Sequence, residues 1–128
     1  MKIKGFTLVE VMIVVVIIGI LASIAYPSYV QQVAKGYRAD GQALMMKVAN
    51  LQEQYYIDNR SYAVDMKLLG FDKDPYVTDN GFYSADSSIV DGNLQVSLTA
   101  LGEQAKRDDA CKVMGLNING LRTPKGCW

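Results

Sequence analysis

The side chains able to do chemistry in this chain are few, and one of them is out of place. Glu10 is the only acidic residue between Phe6 and Tyr29, a stretch with no Lys or Arg that contains an unbroken apolar run from Val11 to Ala22. A carboxylate in hydrocarbon costs about 2.5–3.5 kcal/mol at the centre of a bilayer and less near its edge, so polar groups in such segments usually have a partner or a task. Cys111 and Cys127 are the only thiols, and there is no histidine. That removes Ser-His and Cys-His nucleophilic arrangements and leaves no typical zinc set. No phosphate-binding glycine loop occurs. Asp72-Lys73-Asp74 and Asp108-Asp109 have the form of carboxylate pairs for acid–base work or calcium. The spacing of a calcium loop fails at Tyr76, and both are read as solvated loop charges. Tyr55, Tyr56 and Tyr62 could stack on bases, but aromatics at helical spacing are read as core. No enzyme, no cofactor and no metal site is predicted.

The element that must position Glu10 is the apolar run itself. Phe6 to Tyr29 is 24 residues, roughly 36 Å as a helix and long enough for a hydrocarbon core of about 30 Å. Lys2 and Lys4 precede it. A secretory signal peptide is one reading: Ser23-Ile24-Ala25 offers small residues for a cut after Ala25, which would release an exported soluble binding domain. A plain anchor with its basic end in the cytoplasm is another. Neither gives Glu10 a use, and Pro27 would fall two residues past the proposed cut.

Lys4-Gly5-Phe6-Thr7-Leu8-Val9-Glu10 resembles the class III signal of type IV prepilins and pseudopilins. The resemblance implies that a prepilin peptidase cuts after Gly5 and that Phe6 becomes the N-methylated first residue. It implies an assembly role for Glu10 and Thr7, and a match of Pro27 to a family position. Phe6 and Glu10 are i and i+4, and so share one helix face. The new amine can be neutralised by Glu10 of its own chain or of a neighbour, which would make the carboxylate a register mark between subunits. The competing role for Glu10 is to complement the dipole at the helix N-terminus. Pro27 predicts a kink, and the resemblance implies that roughly Gly19 to Pro27 can lose helical form in a filament.

The chain has 13 basic and 13 acidic residues, and one domain is the prior for 128 residues. Removing residues 1–5 leaves 11 bases against 13 acids, no bulk drive toward nucleic acid. Charge is uneven all the same. Asp58 to Asp109 holds ten acids and five bases, whereas Cys111 to Cys127 holds Lys112, Arg122, Lys125 and no acid. Two cysteines beyond a membrane-targeting segment predict a Cys111–Cys127 disulfide in an oxidising compartment; two free thiols remain the alternative for a cytosolic head.

Beyond the apolar run, Val30, Ala34, Tyr37, Gly41, Leu44, Val48, Leu51 and Tyr55 form a heptad-like stripe. It predicts an amphipathic continuation of the helix to Asp58-Asn59, with Gly41 either loosening it or admitting a close neighbour. A short helix is expected at Asp65–Leu69, closed by Gly70. Strands are expected at Phe82–Val90, Leu94–Ala100 and Cys111–Ile118, with turns at Asp91-Gly92-Asn93 and Asn119-Gly120. The predicted fold is α+β: a leader at 1–5, a long helix at 6–58 (transmembrane at 6–29), and a head at 59–128 with three or four antiparallel strands on the helix and a C-terminal disulfide loop. Arg38 to Leu44, Leu51 to Tyr62 and Gly126-Cys127-Trp128 resemble minor pilins. The resemblance implies a type IV pilin fold and a single-pass protein of the inner membrane. It implies later assembly with other pilin subunits, through the pilus assembly machinery, into a surface filament for adhesion, twitching motility or DNA uptake. A pseudopilin of a type II secretion system is the neighbouring reading. DNA is a possible partner that the net charge does not indicate.

Overall fold

The computed structural model describes residues 1–128 and divides into two compact units, Met1–Val33 and Ala34–Trp128. In the first, residues 1–7 precede a helix, α1, which spans Leu8–Asn59 and so enters the second unit. The helix starts at Leu8 rather than Phe6 because Thr7 caps it. The Thr7 Oγ1 accepts a hydrogen bond from the Glu10 backbone N–H at 3.2 Å, and the Thr7 carbonyl accepts from Val11. Side chains from Met1 to Tyr29 are all exposed, and α1 is long and apolar enough to cross a membrane. Gly19 and Pro27 lie within it; the Ser23 hydroxyl donates to the Ile20 carbonyl at 2.7 Å.

In the second unit the helix becomes one-sided. Its buried residues are Ala34, Gly41, Met45, Val48 and Gln52, spaced as one helix face. The heptad stripe is therefore rotated slightly. Tyr37, Leu44, Leu51 and Tyr55 are half-buried flanks, while Met45 and Gln52 occupy the centre. An ideal helix drifts about 20° per heptad, so a strict seven-residue stripe slides toward the edge of the buried face along the helix.

This face lies on a five-stranded antiparallel sheet in the order β1 (Tyr76–Val77), β2 (Tyr83–Val90), β3 (Asn93–Ala100), β4 (Val113–Asn117) and β5 (Arg122–Thr123). Asp91 and Gly92 join β2 to β3 with φ of 52° and 77°, the two positive values that a type I′ hairpin requires. The register sets Tyr83 opposite Ala100, Ala85 opposite Leu98 and Ser87 opposite Val96. Leu98 faces Met114 and Val96 faces Leu116 across β3–β4. Strand period 2 puts all of these on the helix side, and with Met45 and Val48 they form the core. The two edge strands were not expected; at two residues each they are too short to show alternation. Asp65 caps a 3-10 turn at Met66–Leu69, and Gly70 closes it at φ 92°. The polar segment after β3 holds a short helix, α2, at Gly102–Arg107.

Two glutamines complete this core where no strand can. The Gln52 side chain donates to the Ala63 carbonyl at 2.6 Å and accepts from the Ala63 N–H at 2.9 Å, while the Ser87 hydroxyl donates to the same carbonyl at 2.9 Å. The amide thus acts as a strand partner for one residue of the loop leaving α1. Gln104 on α2 donates to the Ala34 carbonyl at 2.8 Å and to the Tyr83 hydroxyl at 2.9 Å.

Gln52→Leu should leave the buried Ala63 N–H without a partner and destabilise the detergent-solubilised chain by about 1–3 kcal/mol, read as a lower urea midpoint. Ser87→Ala should cost less, because Gln52 still serves the carbonyl. Equal effects would show that the amide is not what holds the loop. A second outcome concerns pH. Burial raises the Tyr83 phenol above its ordinary value; the hydrogen bond from Gln104 opposes this, Asp108 adds to it and Arg38 opposes it. The folded-state value is raised, so this contribution is complete below the unfolded value of about 10 and is lost as pH rises through the folded value. The thermal midpoint of the wild type should fall more steeply above pH ~10 than that of Tyr83→Phe. Parallel curves would mean that the phenol does not report burial.

Candidate functional site

No cleft brings catalytic groups together; the sequence-predicted residues lie in two places, one in each unit. In the first, Gly5 and Phe6 precede α1 and are exposed, and Thr7 and Glu10 form its first turn. Thr7-Leu8-Val9-Glu10 has the spacing of a capping box, in which the hydroxyl takes the N–H three residues on. That signal was present in the sequence and went unused. In this chain Phe6 lies outside the helix, so it does not share a helical face with Glu10. Glu10 has no side-chain partner within the chain and no positive group of the chain bonded to it.

In the second unit, Cys111 and Cys127 form a disulfide with Cα atoms 5.7 Å apart. It ties the start of β4 to a 3-10 turn at Lys125–Cys127. Both cysteines are buried, and the Gln42 side chain donates to the Cys127 carbonyl at 2.5 Å, joining the end of this loop to α1. The Trp128 indole N–H donates to the Thr123 carbonyl at 3.2 Å, and the Arg122 guanidinium lies 5.2 Å from the Trp128 ring centroid. Lys112, Arg122 and Lys125 are exposed. Gly115 permits this closure: a Cβ there would stand 2.8 Å from the Thr123 Oγ1.

One charge reading is corrected. Asp108 is not a solvated loop carboxylate. It is 7% exposed, and it pairs through both oxygens with Arg38, whose Nε donates to Oδ2 at 2.7 Å and whose Nη2 donates to Oδ1. The hydrogen bonds with Asp108 hold the Arg38 guanidinium above its usual value, against desolvation by burial. Asp109 is exposed, as are Asp72 and Asp74, and the Asp74 Oδ1 accepts from the Met66 N–H at 3.2 Å. Sequence reasoning missed Asp108 because its partner lies 70 positions away. Tyr56 and Tyr62 stack on each other at 4.6 Å, and Tyr55 packs against the core.

A family model described as "Prokaryotic N-terminal methylation motif" matches residues 1–26. A second, described as "Type IV minor pilin ComP, DNA uptake sequence receptor", matches residues 27–115. The chain belongs to the type IV pilin family. A fimbrial protein of Dichelobacter nodosus is 37% identical over 120 residues, covering 86% of this chain and 64% of that relative. The fimbrial protein EcpC of Eikenella corrodens is 32% identical, covering 80% and 70%. The type IV major pilin PilE of Neisseria gonorrhoeae is 30% identical, covering 83% and 69%. The pilin thus spans about two thirds of the length of these relatives. They are structural proteins, and membership implies assembly with other pilin subunits. The apolar helix and these relatives fit a membrane-anchored pilin that forms an extracellular pilus. The family fold expected from the sequence, a long helix whose second half packs on an antiparallel sheet, is the observed one.

The disulfide closes 15 intervening residues, for which chain entropy gives about 3 kcal/mol. Cys111→Ser or Cys127→Ser should lower the stability of the pilin by about 2–5 kcal/mol. Reductant should lower the unfolding midpoint of the wild type and leave the variants unchanged. A wild type indifferent to reductant would remove the staple from the account.

Proposed function

We propose that the chain is made as a prepilin of the inner membrane, processed at its leader, and assembled as a minor subunit of a type IV pilus. It serves as a structural subunit rather than an enzyme. The observation that carries this reading is the amino-terminal turn. An apolar helix begins at a threonine cap, a lone carboxylate sits in its first turn without a partner, and a Gly-Phe junction stands directly upstream. On this reading residues 1–5 are the leader and residues 6–29 cross the membrane. The prepilin peptidase cuts between Gly5 and Phe6 and Phe6 is methylated. Glu10 then meets the Phe6 amine of an adjacent subunit, with Thr7 holding the turn. Gly19 to Pro27 is the stretch that yields its helical form in the filament, because Pro27 removes one backbone donor there. The minor rather than major role is supported by the family model matched over residues 27–115; a pseudopilin of a type II secretion system shares the same amino-terminal chemistry.

The printed description of that family also supports a second reading, a pilus that takes up DNA. The matched segment itself holds twelve acids against nine bases, so it offers no bulk attraction to phosphate. The basic residues Arg122 and Lys125 lie beyond the match. The structural-subunit reading is therefore the primary one.

Intact-mass and N-terminal analysis of the protein from envelopes should find a chain beginning at Phe6 with one added methyl; a start at Tyr26 would replace this reading with an exported soluble domain. Glu10→Ala should be cleaved normally and should be depleted from sheared filaments by an order of magnitude or more. Undiminished incorporation of Glu10→Ala would reduce Glu10 to a partner of the helix dipole.

A further inference from the structure

A groove of about 210 Å³ separates α1 from the turn between β4 and β5. One wall is the helix, where Met46, Asn50 and Glu53 line it; all three are exposed and lie on one helix face. The floor is apolar, formed by Leu116 and Ile118. The opposite wall ends in Arg122 on β5. That wall is fixed from within. The Asn117 Oδ1 accepts from the Asn119 N–H at 3.0 Å and from the Leu121 N–H at 2.8 Å, which sets the shape of the turn. The Arg122 guanidinium lies 5.2 Å from the Trp128 ring centroid, and the Trp128 indole is tied to the Thr123 carbonyl. Arg122 and Glu53 both line the groove, yet neither forms a salt bridge within the chain. The groove therefore presents one uncommitted guanidinium and one uncommitted carboxylate beside apolar surface.

We propose that this groove is a peptide-binding site, and that its occupant is a short extended segment of another protein in which an apolar side chain lies between a basic and an acidic residue. The apolar side chain rests on Met46, Leu116 and Ile118. The basic residue meets Glu53 and the acidic residue meets Arg122. A guanidinium held against an indole loses little freedom on binding and offers its N–H groups in the fork that a carboxylate fits. The Asn50 carboxamide, a donor and an acceptor together, suits a peptide unit. The size agrees. Drug-sized ligands take about 300–1,000 Å³, so a groove of about 210 Å³ accommodates one apolar side chain and the backbone beside it. A polyphosphate strand fits less well, because Glu53 stands in the same groove and Arg122 is the one base that lines it. An acyl chain would leave both charges without partners. Affinity comes from covering the apolar floor, while the two charges select the sequence and direction of the segment. This inference goes beyond the structural-subunit reading and does not depend on it.

The test uses the full-length chain in detergent and a fluorescein-labelled heptapeptide, Gly-Lys-Ala-Leu-Ala-Asp-Gly. When extended, it presents its basic, apolar and acidic side chains on one side. Fluorescence anisotropy should show saturable binding with Kd below about 1 mM. Replacing the leucine of the peptide by glycine should weaken binding at least tenfold. Glu53→Gln and Arg122→Gln, each checked for the wild-type thermal midpoint, should weaken it at least threefold. Glu53→Lys should reverse the preference, binding the peptide whose lysine is replaced by glutamate more tightly than the original. A residue that merely supported the fold would not produce that reversal. Binding too weak to saturate, equal binding of the glycine-substituted peptide, or an unchanged preference in Glu53→Lys would overturn the proposal. Displacement of the peptide by duplex DNA, together with loss of DNA retention in Arg122→Gln, would overturn it in favour of nucleic acid. Depletion of Glu53→Lys and Arg122→Gln from sheared filaments, with no peptide bound by the wild type, would overturn it in favour of a neighbouring subunit.

Discussion

At Gly41 the backbone of α1 approaches the sheet so closely that a methyl group there would force the Leu98 side chain to shift. A Cβ there would stand 2.6 Å from the Leu98 Cδ2 and 3.4 Å from the Tyr83 ring. Much of the second unit follows from this contact. It lets Tyr83 and Leu98, both almost fully buried, keep their full size at the centre of β2 and β3. The next two turns of the helix then fall over the sheet, and Met45 and Val48 fill the space beside Leu98. A glycine in a helix interior costs about 1 kcal/mol relative to alanine, and the close packing offsets that cost. Side chains on the shoulders of this contact can also reach across the sheet: Arg38 to Asp108, and Gln42 to the Cys127 carbonyl.

The same proximity creates a polar problem that the chain solves with amides. Backbone leaving α1 comes under cover where no strand is available to pair with it, and a buried unpaired donor costs about 1–3 kcal/mol. Gln52 serves Ala63, and Gln104 serves Ala34. The second solution is incomplete. The Ala34 carbonyl, which also accepts within the helix, takes a second hydrogen bond from the Gln104 amide nitrogen, and the amide Oε1 is left buried and unpartnered. Flipping the amide would set its oxygen against the Ala34 carbonyl, so the orphaned oxygen accompanies the contact that joins α2 to α1.

What the sequence made legible divides along physical lines. Periodic and local signals were readable. The apolar run, the alternation of Leu94, Val96 and Leu98, the Asp91-Gly92 turn and the Asp65-to-Gly70 turn each depend on neighbours within a few residues, and each stands where expected. The disulfide was readable because two cysteines allow one pairing. Gly41 was recognised as anomalous, although its function as a contact needed Leu98, which is remote in sequence. The buried polar residues were not readable. Gln52, Ser87, Gln104 and Asp108 look like surface residues because their partners are loop or helix backbone, or a side chain 70 positions away. The edge strands were equally hidden, since two residues carry no period. At the amino terminus the sequence supplied the chemistry, and the structure added the cap, which fixes where the helix begins.

The first unit has no core at all. Every side chain from Met1 to Tyr29 is exposed, and an apolar helix with no buried face has to find its low-energy surroundings outside its own chain. Lipid is one such environment, because an α-helix pairs its backbone groups internally. A bundle of similar helices is another, and it is reached without changing the helix, since lipid tails and leucine side chains are about equally apolar. Hydrophobicity therefore does not distinguish the membrane from a filament core, and something else must favour transfer between them. Glu10 has the properties for this. It is unfavourable in hydrocarbon and unpaired within its own chain, and it gains most where a positive amine from another subunit is fixed beside it. On the proposed reading, a single carboxylate in an otherwise featureless apolar helix sets both the direction of transfer and the register in which helices meet.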